Sequence, residues 1–357
     1  MNFPTFNFKK LLYFVLLIAY TLVQAQAPDG YYTAANGKTD KELKTALFNI
    51  IKVHTQLDYN ALSTDFQSTD WHPDGYFWDM YSSYHRTSFS GLNREHSLPK
   101  SWFGIASGQE NSAPIGTDLH NLYPSDATAN SAKLNYPIGV VTSSLDFTNG
   151  VVKVGQSTSY SPQYTGAVFE PADEYKGDFA RDYMYMVTCY EDYAYRWQSL
   201  GTSSMMLGGT YPVFRANAVA LLLKWHRQDP VSSKEINRNN AVFKLQHNRN
   251  PYIDHPELAE FIWGKFVGQP WDINGSLPSD NFPLILKPNP AIAKLKVKVN
   301  KPTESTFIVQ NLNGIALKTG KLLTDSTMSV SDLKNGMYIL VVFTESTRKT
   351  GKFAVYH

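Results

Sequence analysis

The chain has 357 residues, 43% of them hydrophobic, with 33 basic and 31 acidic side chains and one cysteine. That length accommodates two domains and a sizeable core, and the lone Cys189 excludes an intrachain disulfide, so the fold must rest on packing or metal. The net charge of +2 hides a net −7 over residues 26–283, where 20 basic residues meet 27 acidic ones; a polyanion bound there needs a local basic patch or a metal ion.

In chain order, residues 1–25 read as a secretory signal peptide. Lys9 and Lys10 precede an apolar run, Leu11 to Val23, of about thirteen residues. That is shorter than the roughly twenty needed to span a bilayer. Val23-Gln24-Ala25 and Ala25-Gln26-Ala27 offer small-residue cleavage sites, and no later segment looks transmembrane. Thr39-Asp40-Lys41-Glu42 predicts a capping box, with Leu43, Ala46, Leu47, Ile50 and Ile51 at helical spacing after it. His54 lies on the same stripe and reads as a core histidine. Residues 58–92 read as irregular or short-stranded. Their five aspartates do not fit an EF-hand and are better read as solvated loop charges than as a calcium site.

Residues 140–170 predict short strands and loops. From Gly177 the pattern is helical, with Asp178 as cap and Cys189 as a buried thiol. Val213 to Arg227 predicts a further helix. Ser232-Ser233-Lys234-Glu235 predicts a second capping box, before a helix to about His247. Pro256 starts a short helix to Trp263. Pro278 to Pro290 reads as a linker. Beyond it Leu295, Val297 and Val299 alternate with Lys294, Lys296 and Lys298, and Asn313-Gly314 and Asn335-Gly336 read as hairpin turns. The expected organisation is therefore a signal peptide (1–25), a main domain (26–277), a linker (278–290) and a small β-sandwich (291–357).

The chemistry concentrates in Asn93-Arg94-Glu95-His96-Ser97-Leu98-Pro99 and Asp118-Leu119-His120-Asn121-Leu122-Tyr123-Pro124, followed by Asn130. A histidine is a proton acceptor near neutrality. A magnesium-type ion takes oxygen ligands, often only one or two from protein, and Glu95 with Asn130 would suffice. Ser125 reads as the cap of a short helix from Asp126 to Leu134 that carries Asn130. Glu95 and His96 face one phosphate only if their strand ends or bulges, for which Ser97-Leu98-Pro99 is a suitable place. His120 has two readings, ligand or structural residue, and its Leu-flanked setting favours the second. Asp118 reads as support behind the ligands.

These motifs resemble the core of the bacterial endonuclease I family, one of the His-Me (ββα-metal) finger nucleases. Further matching stretches are Lys176-Gly177-Asp178, Trp225 to Pro230 and Asn248 to Leu258, so the resemblance spans about residues 30–270 in order. It implies an α+β fold: a mostly helical nuclease domain built around the finger. It further implies His96 as general base and Glu95 and Asn130 as ligands of one divalent metal, Mg2+ first, with Ca2+ or Mn2+ as alternatives. The expected products carry 5′-phosphates. Some members place an arginine in the loop after the catalytic histidine. Here Ser101 to Thr117 contains no Arg or Lys. Arg94, Lys100, Lys133 and Arg249 are the candidates for that phosphate contact, and Arg238 is a further substrate-binding candidate. Periplasmic members carry disulfides that this chain cannot form.

The tail, with Pro288 to Ala291, Asn311 to Gly314, Leu333 to Tyr338 and Lys352 to Val355, resembles a type IX secretion sorting domain, an Ig-like sandwich removed after export. The joint expectation is a secreted, monomeric, sequence-nonspecific nuclease acting on DNA and possibly RNA, with the type IX machinery as partner and no stable membrane insertion. The alternatives are an extracellular ribonuclease of the same fold, or a non-enzymatic adhesin or glycan-binding protein.

Overall fold

The structure, a computed structural model, describes residues 27–158, 166–197, 205–275, 284–299, 305–312, 316–323, 325–343 and 348–357. The expected signal peptide and the Asn313-Gly314 turn lie outside them. The chain divides into two compact units, 1–275 and 276–357.

The first unit is α+β and is organised around α4, Lys176–Cys189, whose residues from Gly177 onward are all buried. A helix buried all round is a core helix. Its aromatic and thioether side chains, including Phe179, Tyr183, Met184 and Met186, join one large apolar cluster. Helix α1, Asp40–Ile51, adds Leu43, Leu47 and Ile51 to that cluster, one stripe as its period predicts. Helix α5, Ala216–Gln228, packs beside α4. Gly177 permits this approach, since a Cβ there would stand 2.1 Å from the Asp229 carbonyl oxygen.

Several local expectations are corrected. Thr39 sits at the N-cap of α1, but its side chain makes no capping bond. Asp178 lies in the first turn of α4 rather than at its cap, and is ion-paired with Lys234. Residues 58–92, expected to be irregular or short-stranded, contain the short strands β1, Trp71–His72, and β2, Tyr76–Phe77, but also helix α2, Leu62–Thr69, which was not expected. The second capping box is as expected: Ser232 and Glu235 cap each other at the start of α6, Ser233–Gln246.

Strands β3, Leu92–His96, and β4, Leu122–Asp126, form an antiparallel ribbon in which Glu95 lies opposite Tyr123 and His96 opposite Leu122. Helix α3, Ala127–Lys133, follows directly. Its cap is Asp126, which accepts from the Thr128 and Ala129 amides, and not Ser125, which remains in β4. Leu92 and Leu122 anchor the ribbon in a second apolar cluster, with Leu62 and Phe66 of α2 and Val242 of α6. A three-stranded sheet, β5 (Leu145–Thr148), β6 (Lys153–Ser157) and β7 (Gly166–Glu170), completes the unit.

The second unit is all-β. Strands β8 (Leu284–Lys287), β9 (Lys294–Val299) and β12 (Asp325–Ser329) form one sheet. Strands β10 (Ser305–Asn311), β11 (Ala316–Leu322), β13 (Gly336–Phe343) and β14 (Arg348–Val355) form the other. Leu295, Val297, Val309, Leu340, Val342 and Phe353 share one core, and Lys294, Lys296 and Lys298 are exposed, as the alternation predicts. Two differences appear. Part of the expected linker is strand β8, because Leu284 and Leu286 pack against that core. Asn335-Gly336 does not close a hairpin, because β12 and β13 belong to different sheets.

Candidate active site

The ribbon ends where the sequence asked it to. After His96 the backbone leaves the ladder, and Asn121 fixes the exit: its carbonyl oxygen accepts from the Ser97 amide at 2.9 Å. Its side chain accepts from the Leu98 amide at 2.7 Å and donates to the Leu98 carbonyl at 3.1 Å. Strand neighbours Glu95 and His96 thereby line one cleft of about 440 Å³. Asn93, Arg94 and Lys100 add polar groups to its wall, Asn130, Ser131 and Asn135 come from α3 and its end, and Tyr59, Phe89, Leu92 and Leu134 are apolar.

His96 is held in one tautomer. Its Nε2 lies 2.9 Å from the Gly116 carbonyl oxygen, and a carbonyl only accepts, so Nε2 carries the proton and Nδ1 the lone pair. Gly116 lies in a tight turn where a Cβ would stand 2.2 Å from the Glu110 carbonyl oxygen, so glycine is required for this turn to present its oxygen. Tyr59 stacks nearly parallel to the imidazole and Phe103 meets it edge-on. Burial pushes the imidazole down to about 4, against the Gly116 bond, which opposes the shift. His96 is therefore neutral at neutral pH, with an unprotonated Nδ1.

Glu95 is buried, and that burial raises its carboxyl, with Lys133 opposing. Lys133, an expected substrate contact, is fully buried instead: its Nζ donates to Glu95 Oε1 at 2.6 Å and to the His96 carbonyl at 3.3 Å. Asn130 projects from α3 onto the cleft wall, and its side chain has no hydrogen-bond partner among the described residues. A carboxylate and an unpaired amide on one wall fit a hard divalent cation, which takes such oxygens and retains waters.

The expected phosphate contacts separate sharply. Arg238 forms a two-pronged pair with Asp70, at 2.7 and 3.1 Å, and donates to the Leu122 carbonyl at 2.7 Å. Arg249 pairs with Asp254 in the same way, at 2.6 and 2.7 Å. Both are buried, neither lines the cleft, and the substrate expectation for them is corrected to a structural one. Lys100 lines the cleft but pairs with Glu110 at 2.5 Å. Arg94 lines the cleft, lies 4.5 Å over the Tyr59 ring and has no ion pair among the described residues.

A second ligand-like group is buried elsewhere. His54, Asp118 and Cys189 bring their donor atoms within 4.8 Å of one another. Asp118 Oδ2 already accepts from Tyr185 and Tyr190, and Oδ1 from the His120 amide and Gln246. His120 itself is a buried turn residue, 4.6 Å from the Tyr185 ring, and lies outside the cleft. Sequence reasoning missed Gly116 and the partner of Lys133. The first lies in a Pro-Ile-Gly turn that foretells a tight bend, and the second had no local signal.

Residues 39–257 match the family described as Endonuclease I, and residues 286–356 match the Secretion system C-terminal sorting domain. An extracellular ribonuclease of Bacillus amyloliquefaciens is 38% identical over 246 residues, 65% of this chain and 78% of that protein. The extracellular ribonuclease of Bacillus subtilis (strain 168) is 36% identical over 247 residues, 66% and 78% of the two chains. An extracellular deoxyribonuclease of Aeromonas hydrophila is 28% identical over 137 residues, 38% and 49% of the two chains. Neither family match describes an adhesin or a glycan-binding module. Among the described residues no helix is long and apolar enough to cross a membrane. The chain belongs to the endonuclease I family and is a nuclease, secreted or held at the cell surface, that carries a C-terminal sorting domain.

Proposed function

We propose that this nuclease hydrolyses phosphodiester bonds of DNA and RNA to 5′-phosphate products. His96 acts as general base, and one divalent cation, magnesium by its preference for oxygen, is held by Glu95 and Asn130. The observation that carries this reading is the fixed, neutral His96 with Nδ1 as its lone-pair nitrogen on the wall of the cleft. Nδ1 takes the proton of the attacking water, and the Gly116 carbonyl keeps the ring oriented as its charge develops. The cation, when bound, supplies Lewis-acid relief for charge on the phosphoryl and leaving oxygens. Lys133 occupies one oxygen of Glu95 and leaves the other to the cation. Arg94 meets a phosphate oxygen, the task expected of a loop arginine that this sequence lacks.

On this reading β3, β4 and α3 form the ββα-metal finger, and residues 26–277 are the catalytic part. The tail is an Ig-like sandwich read by the type IX machinery, and the enzyme works as a monomer. Restriction to RNA is the second reading, favoured by the names of the two Bacillus relatives. Parallel digestion of duplex DNA, single-stranded DNA and structured RNA, by wild type and His96→Ala, with and without chelator, tests both. Cleavage of all three is expected, abolished by chelator and reduced about 10²–10⁴-fold by His96→Ala. Cleavage of RNA alone establishes the second reading. An active His96→Ala enzyme removes the proposed base.

A further inference from the structure

Leu134 is anomalous in three independent ways. It ends α3 with φ 50° and ψ −132°, a backbone region where a side chain is strained and glycine is the usual occupant. Its side chain is 58% exposed and belongs to none of the apolar clusters. It also lines the cleft. Its amide donates to the Asn130 carbonyl at 3.3 Å, so it stands one turn beyond Asn130. A glycine would close this helix without strain, and a leucine left 58% exposed offsets little of that strain by burial. Strain maintained without internal return is the mark of a functional position.

We propose that Leu134 is a substrate-binding residue that takes the face of the nucleobase adjacent to the cleaved phosphate. The inference rests on the nuclease reading above and extends it to how the strand is held. Phosphate and sugar present oxygen; the base face is the apolar surface of a nucleic acid strand. An alkyl side chain one helical turn from Asn130 is placed for the nucleotide next to the scissile bond. Tyr59, Phe89 and Leu92 extend the apolar lining of the same cleft. Leucine is among the side chains that insert against or between bases, and contact with a base face carries no sequence preference, in keeping with nonspecific cutting.

The test uses the full-length enzyme with magnesium and two single-stranded oligonucleotides. Each has one cleavable linkage; one carries all its bases and the other is abasic on both sides of that linkage. On the complete oligonucleotide, Leu134→Gly and Leu134→Asn are expected to lose at least tenfold in kcat/KM, and Leu134→Met to recover most of that loss. On the abasic oligonucleotide all forms should cleave at one common, reduced rate. The melting temperature of Leu134→Gly should be no lower than that of wild type. Equal cleavage of the complete oligonucleotide by all forms overturns the proposal. So does a loss of equal size on both oligonucleotides, or a loss accompanied by a lower melting temperature. A wild type inactive on both removes the nuclease reading and this inference together; an active wild type matched by its variants removes this inference alone.

Discussion

The buried group of His54, Asp118 and Cys189 and the cleft group of His96, Glu95 and Asn130 differ in what their donor atoms already hold. In the buried one, four hydrogen bonds converge on the Asp118 carboxylate. His54 is engaged at both nitrogens, by the Lys52 carbonyl and the Tyr190 hydroxyl. At the cleft, His96 has one nitrogen engaged, and the Asn130 amide has no partner among the described residues. Proximity of ligand-type atoms is therefore a poor guide to a site. Donors with unspent lone pairs beside an opening are the better one, because a saturated buried network must lose hydrogen bonds before it can bind anything.

The same division runs through the cations, and breaking it gives the largest expected effect. Arg238 is spent on Asp70 and Leu122 and lies 4.1 Å over the Tyr123 ring, which ties α6 to β4. Arg238→Ala leaves the Asp70 carboxylate buried without its partner and should cost about 3–5 kcal/mol of stability, read by urea unfolding. A loss near zero would place Arg238 among the free cations after all. Next in size is an acid effect at His120, whose burial lowers it to about 4. Between pH 6.5 and 4 the unfolded chain binds a proton that the folded chain refuses, so stability falls as pH falls, by up to about 3 kcal/mol from this residue. His120→Asn should flatten that part of the stability–pH curve, whatever its effect at pH 7. An unchanged slope would show that the ring is not held neutral.

The clusters themselves are compared by metal titration in the His96→Ala background, which on the proposed roles lowers turnover without removing a ligand. Glu95→Gln should weaken Mn2+ affinity at least tenfold, about 1.4 kcal/mol, and Cys189→Ser should leave it unchanged. The opposite pattern would move the metal to the buried group.

What the sequence disclosed and what it withheld follow the same physical line. Features set by a few consecutive residues were legible: the strand exit at Ser97-Leu98-Pro99, the capping box at Ser232, the alternation of β9, and Asn130 on a helix. Helix α2 was hidden because its apolar stripe is only Leu62 and Phe66, with Ser63, Thr64 and Asp65 between them and Gln67, Ser68 and Thr69 after. Ser125 and Asp126 were both sound caps by type; the helix begins at Ala127, so Asp126 directly precedes it and its carboxylate reaches the Thr128 and Ala129 amides. Which cation is free was not legible at all. Arg94, Lys133, Arg238 and Arg249 are alike in sequence, and only partners 38, 168 and 5 residues away distinguish the last three.

Arg94 gives the smallest expected effect. Its guanidinium touches the Tyr59 ring and no carboxylate among the described residues, so Arg94→Ala should change stability by no more than about 1 kcal/mol. Its loss should appear in binding. One charge-assisted contact to phosphate is worth about 1.5 kcal/mol, which raises KM about tenfold at low salt. Because that contact releases one counterion, the slope of log KM against log salt should become shallower by about 1. The slope is the decisive quantity. A purely structural arginine would raise KM equally at every salt concentration and leave the slope where it was, whereas a phosphate-binding one makes the variant and the wild type converge as salt rises.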